Sequence, residues 1–274
     1  MKPYITLVRP VNFLITALSI FVACLLAGGT QAQMLFMIFA ALGGAFIGSG
    51  GMVINDILDI DIDKINKPER PIASGVVDRY DAMMFYGALT GAGMIMIAYT
   101  TKPAFIIAFI AVPLIVLYSK VFKGTPLIGN MIVGGLTGLA FIFGGAAVGN
   151  MKQSVMPAVF AFLINVGREV IKDMEDVEGD AKNGAATLPV VYGMRNASII
   201  ATMFLVFVIA STVVPFVNGM YGLKYFIAVN AGVNLVLVYV IYSLWKDQTV
   251  KNLNLLSNIL KWDMLVGLIA IYLG

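Results

Sequence analysis

Apolar stretches of about twenty residues recur along the whole of this 274-residue chain, and no other feature limits its fold so strongly. A helix of that length crosses a hydrocarbon core of roughly 30 Å. Backbone groups in lipid find no water and must pair within their own segment, which a helix achieves. Hydropathy places nine spans at roughly 10–28, 34–54, 81–100, 104–121, 127–149, 154–172, 196–217, 223–245 and 255–273. The last carries Lys261 and Asp263, so it is expected to begin as late as Trp262 and to be short or tilted. With 60% hydrophobic and 12% charged residues, the chain is too apolar for a soluble domain. The expected fold is an all-α integral membrane bundle.

The charges sort by side. Of the 18 Lys and Arg, all but Lys102, Lys152 and Lys224 fall at the N-terminus or in the loops after spans two, four, six and eight. All 15 Asp and Glu fall there too. A misdrawn span would scramble this sorting, so it supports the topology independently of hydropathy. The positive-inside rule makes that face cytoplasmic and predicts a multi-pass protein of the cell membrane. The net charge of +3 then reflects sidedness and contact with the lipid bilayer, and no nucleic-acid partner is expected.

Cys24 is the only cysteine and lies in a span, so an intrachain disulfide is excluded and a packing role is expected. Lys2, Arg9 and the small residues Ala27, Gly28 and Gly29 resemble a signal peptide. Eight further spans already target the chain, so this segment is expected to be retained. Glycine pairs such as Gly43-Gly44, Gly134-Gly135 and Gly144-Gly145 allow helices to approach closely. They serve internal packing and dimers alike, which leaves the oligomeric state open. No soluble segment or linker divides the chain, and one domain over 1–274 is expected.

Two loops stand out for length and charge. In the first, Asn55, Asp59 and Asp63 repeat at i, i+4, i+8 if the helix of span two continues, with Asp56 beside them and Asp61 pointing elsewhere. In the second, Glu169, Asp173, Asp176 and Asp180 share a face, with Arg168 and Lys172 as an adjoining cationic stripe. Carboxylates repel at this spacing, and a bound cation reverses that penalty. Oxygen donors without His or Cys select hard cations, and Mg2+ combines one or two carboxylates with water and phosphate oxygens. Two such clusters facing one cavity would suit a diphosphate held through Mg2+. A calcium loop starting at Asp59 is excluded, because its sixth position is Lys64 instead of Gly and its twelfth is Arg70 instead of Glu. A solvated acidic loop explains one cluster more easily than two of matching spacing. A transporter would carry acids along an ion path, whereas these gather at one rim.

Asn55-Asp56-x-x-Asp59-x-x-x-Asp63, and Asp173 followed by Asp176-x-x-x-Asp180, resemble the two aspartate-rich signatures of the UbiA family of membrane prenyltransferases. Arg9-Pro10-x-Asn12, Arg70-Pro71 and Tyr118-Ser119-Lys120 extend the likeness over nearly the whole chain. The resemblance implies nine helices around a central cavity and an isoprenoid diphosphate held by Mg2+ on Asn55, Asp56, Asp59, Asp63, Asp173, Asp176 and Asp180. Asp56, Asp59, Asp176, Asp180 and Tyr118 would be catalytic, with Tyr118 near the reacting end of the prenyl chain. Arg70, Lys120 and Lys123 would contact diphosphate, and Arg9 with Asn12 the acceptor. As alternatives, Lys120 and Lys123 read as snorkelling anchors and Tyr118 as an interfacial aromatic.

The second motif, with Thr187-Leu188-Pro189 after it, is similar to that of archaeal members that attach a geranylgeranyl chain to geranylgeranylglyceryl phosphate, an ether-lipid step. A lipid-phosphate acceptor is compatible with cations at Arg9, Lys67, Arg168 and Lys172. The other reading within the family is an aromatic acceptor of a quinone, chlorophyll or haem O pathway; outside it, a membrane transporter. The chain has no His, so a histidine base is excluded; a carboxylate or released diphosphate could take the proton of an attacking hydroxyl.

Overall fold

The computed structural model describes residues 2–274, apart from the side chains of Ile65 and Asn66. Its helices in chain order are α1 (Lys2–Val8), α2 (Pro10–Leu26), α3 (Met34–Leu58), α4 (Ile60–Asn66), α5 (Arg79–Ala98), α6 (Lys102–Leu117), α7 (Ile128–Ala147), α8 (Met151–Glu175), α9 (Val177–Lys182), α10 (Leu188–Val217), α11 (Leu223–Ala228), α12 (Leu235–Lys246) and α13 (Val250–Tyr272). Wide π turns, Tyr118–Phe122 and Val229–Asn234, extend α6 and join α11 to α12. Among the described residues eight segments are long and apolar enough to cross a membrane, and α1 with α2, bent by 42°, makes a ninth if the pair is one span. This is the all-α multi-pass membrane bundle expected.

The bend has a local cause. Proline disfavours the right-handed helical region for the residue before it, and Arg9, ahead of Pro10, turns left-handed at φ 52°. The chain changes direction there, and the Arg9 side chain leaves the helix line.

Two spans differ from expectation. Helix α10 begins at Leu188, well before 196, because Pro189 suits its first turn; Gly193 then breaks the helix at φ 82°, ψ 161°. Helix α13 begins at Val250, so Lys261 and Asp263 lie inside the span and the expected start at Trp262 is wrong. Thr249 caps this helix by accepting from the Asn252 N–H. Leu253, Leu256 and Leu260 give its polar-looking first half a buried face.

The helices form two compact units, Met1–Phe122 with Leu139–Val155, and Lys123–Gly138 with Met156–Gly274. In the first, α3 packs between α2 and α5 around Ile20, Cys24, Met37, Ala40 and Ile97. A Cβ on Gly43 would stand 2.9 Å from the Gly93 carbonyl oxygen, and one on Gly93 only 2.6 Å from that of Gly43. Glycine pairs therefore serve close approach here, as expected, although Gly135 of another pair faces open space. The second unit buries Val166, Val170, Met174, Leu205, Leu237 and Leu244.

Candidate active site

In the first unit the expected helix register survives the junction between α3 and α4. The Asp59 N–H donates to the Asn55 carbonyl at 2.9 Å, and the Asp63 N–H to that of Asp59 at 2.8 Å. Asn55, Asp59 and Asp63 therefore stay on one side. Asp56, Asp59 and Asp63 are all buried. Asp61 is exposed and pairs with Lys64.

Cations neutralise this buried charge. Arg9 meets Asp56 at 2.6 Å, while one nitrogen of Arg70 reaches Asp56 at 3.0 Å and Asp63 at 2.7 Å. Asn55 donates to Asp59 at 2.8 Å. The loop carrying Arg70 is pinned by Ile72 and Val77, buried against Val53, Ile54 and Ile57 of α3. Arg9, Arg70, Asp56 and Asp63 thus form one network from three separate stretches of chain. The Asn12 amide donates to the Met52 sulfur at 3.7 Å, and the π turn bearing Tyr118 and Lys120 packs against α3. Lys67 and Lys120 are exposed.

The second unit repeats the local construction. The Asp176 N–H donates to the Lys172 carbonyl at 3.0 Å, and the Asp180 N–H to the Asp176 carbonyl at 2.9 Å. Arg168 donates to Glu169 and to the Ser257 backbone of α13, and Lys172 stands 3.8 Å from Glu169. Arg168 therefore joins two helices as well as flanking the cluster. Asp173 accepts from Asn130 of α7 at 2.7 Å, and Asp180 from the Thr187 hydroxyl at 3.0 Å. Burial holds the Asp180 carboxyl above the usual carboxylate range and Asp176 adds to the rise, against the pull of Thr187, Lys123 and Lys172. Asp176 is exposed.

Sequence reasoning missed Asn130 and gave Thr187 no role at the carboxylates. Asn130 is an amide in the first turn of an apolar span, which marked it as needing a partner. Thr187 precedes Leu188-Pro189, a helix-start pattern that hid its second use.

The donors fit a hard divalent cation. They are carboxylate and amide oxygens, with no thiolate or imidazole. Among the described residues no three carboxylates converge into a ready cage. Mg2+ keeps several waters and takes substrate phosphate oxygens, so one or two protein ligands suffice.

The profile of the UbiA prenyltransferase family matches residues 15–263. The chain belongs to this family. It is 34% identical to the digeranylgeranylglyceryl phosphate synthase of Thermococcus gammatolerans over 98% of this chain and 97% of that one. It is 35% identical to the enzyme of the same name from Methanopyrus kandleri, over 98% of each. A solved structure concerned with digeranylgeranylglyceryl phosphate synthase in membranes is 33% identical, with a TM-score of 0.82 over 100% of this chain and 97% of that one. A UbiA homolog from Archaeoglobus fulgidus, solved with GPP and Mg2+, shares the fold at a TM-score of 0.71 and 17% identity, over 98% of this chain and 99% of that one. Family membership makes the chain a membrane prenyltransferase, and the matched residues include both carboxylate-bearing helix junctions.

Proposed function

We propose that the protein transfers a geranylgeranyl group from its diphosphate to the hydroxyl of geranylgeranylglyceryl phosphate, as in archaeal ether-lipid synthesis. The observation that carries this is full-length likeness, at 33–35% identity, to proteins named for that synthase. The chain acts as one domain over 1–274, a reading supported by a family match that runs unbroken through both units. The N-terminus and the two acidic loops are cytoplasmic, a sidedness that rests on the sorting of Lys and Arg.

Asn55, Asp56, Asp59, Asp63, Asp173, Asp176 and Asp180 would hold Mg2+. When bound, Mg2+ neutralises charge growing on the departing diphosphate. Arg70, Lys120 and Lys123 contact the diphosphate. The guanidinium of Arg70 is shared between Asp56 and Asp63 and would be available to phosphate if those carboxylates held Mg2+. Arg9 and Asn12 orient the acceptor, and Lys67, Arg168 and Lys172 supply positive potential for its phosphate. Tyr118 presents an aromatic face to the reacting end of the prenyl chain.

The bond from the prenyl C1 to the diphosphate oxygen breaks, and the acceptor's hydroxyl oxygen bonds to C1. Its proton passes to a carboxylate or to the diphosphate. Exclusion of water protects the allylic cation from quenching to a free prenol.

The test incubates purified protein with geranylgeranyl diphosphate, Mg2+ and either geranylgeranylglyceryl phosphate or an aromatic acid. A diether product from the first is expected. A prenylated arene from the second alone would replace the lipid assignment, and solute flux in liposomes without diphosphate release would replace the enzyme.

A further inference from the structure

Asn130 stands in the first turn of α7 and is 5% exposed. Its Nδ2 donates to Asp173 Oδ2 at 2.7 Å. A carboxylate accepts and does not donate, so this contact fixes which end of the amide faces it. The carbonyl end, Oδ1, is then directed elsewhere, and among the described residues it has no hydrogen-bond partner. A buried amide oxygen left unpaired is costly, so such an atom marks a place for a ligand.

The two clusters differ at this point. The first carries its amide within the motif, where Asn55 donates to Asp59 Oδ2 at 2.8 Å. At the matching position of the second, four residues before Asp176, stands Lys172. The second motif lacks an amide of its own there, and a different helix supplies one.

Asn130 Oδ1 and the Asp173 carboxylate are acceptors held by one side-chain contact. A species that satisfies both must be a hydrogen-bond donor or a cation, and a hydrated divalent cation is both. We propose that Asn130 Oδ1 is an oxygen donor to the divalent cation carried by Asp173, directly or through one of that cation's waters. Its N–H group meanwhile fixes the orientation of the carboxylate. The inference rests on the Mg2+-dependent reading above and adds to it a residue outside both motifs. Asn165 provides the contrast: its Oδ1 is also buried and unpaired, but its N–H contact is the Thr137 hydroxyl, not a carboxylate.

The experiment titrates Mn2+ into the detergent-solubilised full chain with inorganic pyrophosphate present, reading free Mn2+ by electron paramagnetic resonance. Asn130→Ala is expected to weaken Mn2+ binding about tenfold or more, as loss of an outer partner does at metal sites. Asn165→Ala is expected to leave that affinity unchanged. Asn130→Asp places two carboxylates together, so its metal-free melting temperature falls, and Mn2+ raises it by more than in the wild type. That rescue separates a cation-linked role from a purely structural one, and it can still be read if Asn130→Ala fails to fold. Wild-type affinity in Asn130→Ala, or no Mn2+ rescue of Asn130→Asp, overturns the inference. If Asp173→Ala loses Mn2+ while Asn130→Ala keeps it, the metal reading stands and only Asn130 is removed from it. If the wild type binds no Mn2+, the metal reading fails and the inference falls with it.

Discussion

Asp59 and Asp176 share one backbone conformation, φ −92°, ψ 9° in the first and φ −93°, ψ 5° in the second. Each ends a long helix, opens a short one and keeps the i to i+4 hydrogen bonds running through the junction. The junction slightly unwinds the helix without losing its register, so carboxylates four residues apart remain neighbours. The likeness extends to backbone geometry what the spacing of the two motifs suggests, an internal repetition.

Replacing either junction carboxylate by its amide tests whether both motifs serve the reaction. Asp59→Asn and Asp176→Asn are each expected to reduce turnover about a hundredfold or more, the scale of losing one charge-stabilising group. Thermal unfolding in detergent should change little, since the backbone pattern does not depend on the charge. Near-normal turnover in either variant would remove that motif from the chemistry.

Arg70 offers a different readout. Its side chain is 22% exposed while Asp56 and Asp63 are 4% and 7% exposed, so Arg70→Ala leaves charge in a dry place. Without divalent cation the variant should lose about 3–5 kcal/mol of stability, the usual effect of breaking a buried pair from one side. Mg2+ should return part of that loss by taking the guanidinium's place. A melting temperature that falls equally with and without Mg2+ would mean that these carboxylates do not meet the cation.

The parts legible in the sequence were those governed by local rules. Helical spacing placed Asn55, Asp59 and Asp63 on one side and turned Asp61 away, and the structure agrees because the register crosses the junction intact. Span number followed from hydropathy, since lipid leaves the backbone no other option. Contacts over long sequence distance were not legible. Nothing local shows that Arg9 and Arg70 meet at Asp56, because that depends on a pre-proline bend and on a loop anchored by Ile72 and Val77. Asn130 lies 43 positions from Asp173, and no motif links them. The start of α13 was misjudged because charge was weighed above the buried spacing of Leu253, Leu256 and Leu260.

Asp180 gives the metal-free protein a pH dependence of definite sign. Burial raises its native carboxyl above the unfolded value, so between the two values the native state binds more protons. Stability from this group is present in full below the ordinary carboxylate range and is lost as the pH rises through the elevated native value. Thr187→Val removes the hydroxyl that steadies the charged form and should push that loss to higher pH. Melting curves across pH, in chelator, read both effects; Asp180→Asn should flatten them, and an unchanged slope in that variant would place the dependence on another group.

The approach of α3 and α5 makes the glycines of α5 unequal. A Cβ at Gly93 would sit 2.6 Å from the Gly43 carbonyl oxygen and 2.9 Å from the Ile47 side chain. The carbonyl belongs to helix backbone and cannot swing aside, so Gly93→Ala must push the helices apart, at about 1–3 kcal/mol for overpacking. At Gly91 nothing lies within 4 Å of the added carbon. Gly91→Ala should be neutral or gain up to about 1 kcal/mol from helix propensity. Since α3 also carries Asn55 and Asp56, the displacement in Gly93→Ala should lower turnover as well as melting temperature, while Gly91→Ala changes neither for the worse. Equal melting temperatures in the two variants would mean that the helices do not approach this closely.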